Sequence, residues 1–83
     1  MAVSTTYVVT DPEGIHARPA GVITKAAKEI NGGITIEKGG KTADARKMFA
    51  IMGLGVKNGD EITVSADDQE KLDAFVAVLR ENI

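Results

Sequence analysis

The chain contains no cysteine, so it has no disulfide framework, no thiolate nucleophile and no Cys-type zinc site. A single histidine excludes the multi-histidine metal centres as well. Tryptophan is absent and aromatics make up only 4% of the residues, too few for platforms that stack single-stranded nucleic acid. A net charge of -2 argues against a surface built to neutralise nucleic-acid phosphates. No apolar run approaches the roughly 18 residues that a membrane span needs. The opening Met1-Ala2-Val3-Ser4-Thr5-Thr6 has neither the basic nor the apolar segment of a secretory signal. These absences lead to the expectation of a cytoplasmic protein with no cofactor, no metal, no nucleic-acid partner and no direct membrane insertion.

What is present is one domain, residues 1-83, with 43% hydrophobic residues. A chain this short buries roughly 60–65% of the surface its unfolded form exposes, so its core is thin. Thr5-Thr6-Tyr7-Val8-Val9 is β-branched and aromatic, as strands are, and stops at the turn cluster Asp11-Pro12-Glu13-Gly14. Val22, Ile23, Ala26, Ala27 and Ile30 recur at helical spacing, closed by the C-cap signal Asn31-Gly32-Gly33. Ile34–Lys38 and Lys41–Ala43 read as a hairpin about Gly39-Gly40. Asp44 is expected to cap a short second helix carrying Met48, Phe49, Ile51 and Met52. Glu61–Ser65 reads as a fourth strand. Asp67, three residues before Glu70, is expected to open a capping box for a last helix with Leu72, Phe75, Val76 and Leu79 on its apolar face. The order β-α-β-β-α-β-α predicts an α+β fold, with three helices on one face of a four-stranded antiparallel sheet.

One segment carries chemistry. Gly14-Ile15-His16-Ala17-Arg18-Pro19-Ala20 places the imidazole where a strand passes into a helix. The first-turn amides of a helix lack carbonyl partners, the helix dipole is positive at that end, and Arg18 adds a fixed planar cation. Together they make an anion site with a nucleophile at its rim. The positive field favours the neutral, nucleophilic ring. A phosphoryl group on His16 could place its oxygens at the amides of Ala17 and Arg18. Pro19 has no amide hydrogen and suits the first turn, although a residue before proline resists the helical region, so an irregular helix start is expected at Arg18. By spacing alone, a single histidine near a helix start is more often a surface residue or cap, and a lone arginine a solvated charge.

The segment Gly14–Ala20 resembles the active-site signature of the HPr family, the histidine-containing phosphocarriers of the bacterial phosphoenolpyruvate:sugar phosphotransferase system. Gly40-Lys41-Thr42-Ala43, Met52-Gly53-Leu54-Gly55-Val56 and Gly59–Ala66 resemble HPr segments at matching spacing. The resemblance implies an open-faced β-sandwich. It implies that His16 takes a phosphoryl group on Nδ1 from phosphorylated Enzyme I and passes it to the IIA component of a sugar permease. Arg18 would stabilise the group in transit, with no cofactor and no substrate turnover of the carrier's own. It also implies a docking surface at Ala17, Gly21, Lys25, Lys28, Met48, Phe49 and Met52. Here the local reading differs: Lys25 and Lys28 read as a solvated helix face, and the apolar residues of the second helix as core. Four apolar residues in five positions cannot all point inward. Ile51 is expected inside, Met48 and Met52 outside, and Phe49 partly buried. A carrier that needs a free face is expected to be a monomer.

One departure from the family pattern stands at Lys47, where many Gram-positive relatives carry a regulatory serine. Lysine cannot accept that phosphoryl group, which sets kinase control and its co-repressor role in question. Three other readings remain: a carrier of the nitrogen-related phosphotransfer branch, a non-catalytic regulatory or binding module of ferredoxin-like order, and a hydrolase, for which the chain offers no triad or carboxylate dyad.

Overall fold

A computed structural model describes residues 2–83. Four strands, β1 (Val3–Val8), β2 (Thr35–Lys38), β3 (Lys41–Asp44) and β4 (Glu61–Ala66), form one sheet in the order β1-β4-β2-β3. Every pairing is antiparallel, with β4 central: Val64 faces Thr5 on one side and Ile36 on the other. The β2–β3 hairpin turns at Gly39 and Gly40, with φ of 57° and 84°. A two-residue turn with both φ positive matches the strand twist, and glycine takes that geometry without a Cβ penalty.

The helices α1 (Ala17–Ile30), α2 (Met48–Met52) and α3 (Gln69–Asn82) cover one face of this sheet. Between the layers lie Ala20, Ile23 and Ala27 of α1, Ile51 of α2 and Leu72, Phe75 and Leu79 of α3. Ile36, Ile62 and Val64 meet them from the sheet. Each of these large side chains contributes about 1.5–3 kcal/mol by leaving water. Thr24, the one buried polar residue described, returns its hydroxyl to the Ala20 carbonyl at 2.7 Å. No described helix is long and apolar enough to cross a membrane.

Several local expectations shift. In α1 the inward line is Pro19, Ala20, Ile23, Thr24 and Ala27. Val22 stands about 100° round the helix from Ile23 and is exposed. The last helix is capped by Asp68, whose carboxylate accepts the Lys71 amide at 2.9 Å. Asp67 instead extends the strand exit, donating its amide to the Gly32 carbonyl at 2.8 Å. Asp44 does not cap α2, whose N-cap is Lys47 with no side-chain bond. Asp44 closes β3, and its carboxylate turns to Arg46, accepting the main-chain amide at 2.9 Å and the guanidinium at 3.1 and 2.9 Å.

The side-chain hydrogen bond from Arg46 holds the Asp44 carboxyl down at about 2. An unfolded aspartate ionises near 3.9, so the stabilisation is complete above about pH 4 and is lost as pH falls through about 2. Asp44→Asn is therefore expected to be less stable than the parent at about pH 6 and to converge with it near pH 2, as read by urea denaturation at each pH.

Candidate functional site

The approach to α1 is held by main-chain contacts. Gly14 has φ 68°, a left-handed conformation. A Cβ at this position would run into the Val56 carbonyl oxygen and lie 2.6 Å from the Lys57 Cα. Its neighbour Ile15 donates its amide to the same Val56 carbonyl at 3.1 Å, and its side chain is buried. Upstream, the amides of Thr10 and Asp11 both donate to the main-chain oxygen of Ile83, at 2.7 and 2.9 Å. The loop that delivers the histidine is thus tied to the β4 approach and to the end of α3.

His16 is the N-cap of α1, with extended φ −115° and ψ −175° and no side-chain capping bond. Ala17, Arg18 and Pro19 form the first turn, and the first intrahelical bond runs from the Ala20 amide to the His16 carbonyl at 2.9 Å. The helix runs unbroken from Ala17 through Pro19, which occupies a first-turn position whose amide would have no helical acceptor in any case. No acidic residue occupies this turn, so its free amides and positive dipole end are uncompensated by the helix itself.

The ring is about one-third exposed, with 35% of its side-chain surface open. It borders a hollow of about 200 Å³, shared with Asp11, Arg18, Pro19, Val22, Glu81 and Asn82. Its Nε2 stands 3.5 Å from a Glu13 carboxylate oxygen and 3.8 Å from Asp11 Oδ1. The ring thus has two carboxylates on its Nε2 side, while Arg18 and the first turn of α1 border the same hollow. The sequence reading treated Asp11 and Glu13 only as turn residues and missed their carboxylates. Glu81 and Asn82 had no local signal, since they arrive from the far end of the chain.

The residues named for docking divide. Ala17, Arg18, Lys25 and Lys28 are exposed on α1, and none of these cations has an ion-pair partner among the described residues. Gly21 lies beside α2: a Cβ there would be 4.0 Å from Met48 Sδ, so α2 packs one turn past the histidine. Phe49 is 81% exposed rather than partly buried, and Met48 and Met52 are half-buried against the core rather than outside. Helical geometry explains both corrections. With Ile51 pointing inward, Met48 and Met52 lie within about 100° of it, while Phe49 stands about 160° away. Lys47 is exposed at the start of α2.

Residues 3–81 match the family model described as the PTS HPr component phosphorylation site. The chain belongs to the HPr family. A phosphocarrier protein HPr from Bacillus anthracis str. Ames is 29% identical, with a TM-score of 0.86 over 99% of this chain and 98% of its own. An HPr from Thermoanaerobacter tengcongensis is 29% identical with a TM-score of 0.87, over 96% and 93%. The Bacillus subtilis protein Crh, a domain-swapped dimer, is 28% identical with a TM-score of 0.71, over 93% and 92%. The four-stranded antiparallel sheet with three helices is that of the HPr structures.

In this HPr-family chain the Gly14 clamp sets where α1 begins. Gly14→Ala would place a left-handed Cβ against the main chain of Val56 and Lys57. The expected cost is about 2 kcal/mol or more, measured by chemical denaturation, with shifted amide resonances at Ile15–Arg18.

Proposed function

We propose that the protein is a phosphocarrier. His16 accepts a phosphoryl group on Nδ1 from phosphorylated Enzyme I and passes it to the IIA domain of a sugar permease. The observation that carries this reading is an open imidazole set as the N-cap of a helix whose first turn holds no acidic residue and whose Arg18 has no ion-pair partner among the described residues. A phosphoryl group on the ring would meet the Ala17 and Arg18 amides and the Arg18 fork, donors matched to its oxygens. Transfer of this kind needs little covalent machinery beyond positioning and charge stabilisation. The phosphoramidate nitrogen is a good leaving group once neighbouring charges compensate it, which suits a relay.

The docking role follows from position. Phe49 is exposed on α2, which packs beside Gly21 through Met48, and Lys25 and Lys28 stand on the same stripe of α1 as Gly21, one and two turns further on. An exposed aromatic within a basic surround fits acidic partners with an apolar pocket, and the half-buried methionines can adapt to more than one. Lys47, in the place of the regulatory serine, adds to that positive surround and cannot accept the phosphoryl group that a serine there would.

The test is incubation with phosphoenolpyruvate and Enzyme I. The expected product is an acid-labile, base-stable phosphoprotein detected by mass spectrometry, absent in His16→Ala. A label that survives His16→Ala, or no label in the parent, overturns the proposal. Arg18→Ala is expected to slow phosphoryl transfer by roughly 10²-fold. Phe49→Ala is expected to raise the KM of Enzyme I for the carrier while leaving kcat near its original value.

A further inference from the structure

We propose that Asp11 and Glu13 are positioning residues that keep the His16 proton on Nε2, leaving Nδ1 free to take and release the phosphoryl group. The transfer part of this inference rests on the phosphocarrier reading above; the tautomer part does not.

The carboxylates are placed unequally. Asp11 is the fixed one. Its amide donates to the Ile83 oxygen at 2.9 Å, its carbonyl accepts the Gly14 amide at 2.9 Å, and its Oδ1 accepts the Glu13 amide at 2.8 Å. The same Oδ1 lies 3.8 Å from Nε2. Glu13 comes nearer, at 3.5 Å, but 74% of its side chain is exposed, so solvent screens it more. Both oxygens are beyond direct hydrogen-bond length and within ion-pair range, close enough to favour an N–H on the nitrogen they face. A neutral imidazole holds one proton, so a proton kept on Nε2 leaves the lone pair on Nδ1. The other charged groups at this hollow are Arg18 and the positive N-terminal end of α1, and Glu81 of α3.

The arrangement keeps the relay free of proton movement. In the forward step the Nδ1 lone pair forms the N–P bond while the bond from phosphorus to the donor nitrogen breaks, and that electron pair leaves with the donor. The Nε2 proton stays, so the ring gains one positive charge, which Asp11 and Glu13 offset. In the onward step the acceptor's nucleophile attacks phosphorus, the N–P bond breaks, and its pair returns to Nδ1 as a neutral, Nε2-protonated ring. Compensating the ring charge near Nε2 also keeps Nδ1 a good leaving group.

The test uses Asp11→Asn, Glu13→Gln and the double variant. Asparagine retains an acceptor for the Glu13 amide, so the turn is preserved while the charge is lost. In the unphosphorylated protein, long-range ¹H–¹⁵N spectra of the His16 ring report the tautomer directly. The expected result is an Nε2–H form dominating in the parent and relaxing in the double variant toward the mixture of an unrestrained histidine, with Glu13→Asp remaining nearer the parent. An unchanged tautomer ratio in the double variant overturns the inference. In the phosphorylated protein, spontaneous hydrolysis of the phosphoimidazole at neutral pH is expected to slow by about 1.5- to 5-fold in the double variant, the span that partly exposed ion pairs support. If the parent takes no label from Enzyme I, the carrier reading fails, and the tautomer spectra still decide the role of the two carboxylates.

Discussion

Gly14 sits against the main chain of Val56 and Lys57, and the rest of the site depends on that contact. A left-handed residue with no room for a Cβ turns the chain from the loop into Ile15, and the Ile15 amide locks on to the Val56 carbonyl. The next residue is His16, already extended as an N-cap, and α1 starts on the one after. The position and direction of the helix end are therefore set by a backbone-to-backbone fit rather than by the histidine. This is why the imidazole makes no capping bond of its own. Its nitrogens remain available for chemistry because the structural work around it is done by amides and carbonyls.

The second constraint is the thinness of the core. Seven elements bury one layer of aliphatic side chains with a single phenylalanine, Phe75, at its centre. Five-residue α2 has only Ile51 to contribute, so its other apolar residues are left to its sides and its outer face. The exposed Phe49 follows from the shortness of the helix: one anchor sets the rotation, and the rotation puts Phe49 outside. A buried anchor and an exposed aromatic thus come from the same five residues.

Charge is sorted sharply over this small surface despite a net value of only -2. The cations of α1 run from Arg18 in its first turn to Lys28 in its last, none with an ion-pair partner among the described residues, whereas the carboxylates bordering the ring belong to the preceding loop and to the end of α3. The imidazole lies on the boundary, with the helix end on one side and Asp11 and Glu13 on the other. The paired charges elsewhere serve the frame. Arg46 folds back on Asp44, and Lys38 bridges Asp60 and the Gly55 carbonyl at 2.8 and 2.7 Å. Lys38 holds the Asp60 carboxyl below the usual range as it ties β2 to the β4 approach.

Much of this was legible in order of residues alone. Period-two and helical patterns located all seven elements, Gly39-Gly40 marked the hairpin, and Gly14–Ala20 marked the histidine at a helix start, since each signal is carried by neighbours within a few positions. Capping was less legible. Two aspartates in succession at 67 and 68 offer the same local chemistry, and only the tertiary path, with Asp67 bonded to Gly32, decides which one caps. Asp44 was likewise claimed by Arg46, a competition between side chain and backbone that spacing does not rank. The surroundings of the imidazole were beyond any local signal. Glu81 and Asn82 reach His16 because α3 packs beside α1, and Asp11 and Glu13 face Nε2 because the Gly14 turn folds their loop back over the ring. The amino-acid order determined that the one imidazole stands at the start of a helix, because that is a matter of composition and local helix physics. Only the assembled fold decided which charges face that ring, because those contacts join segments that are far apart along the chain or joined through a turn whose direction the core imposes.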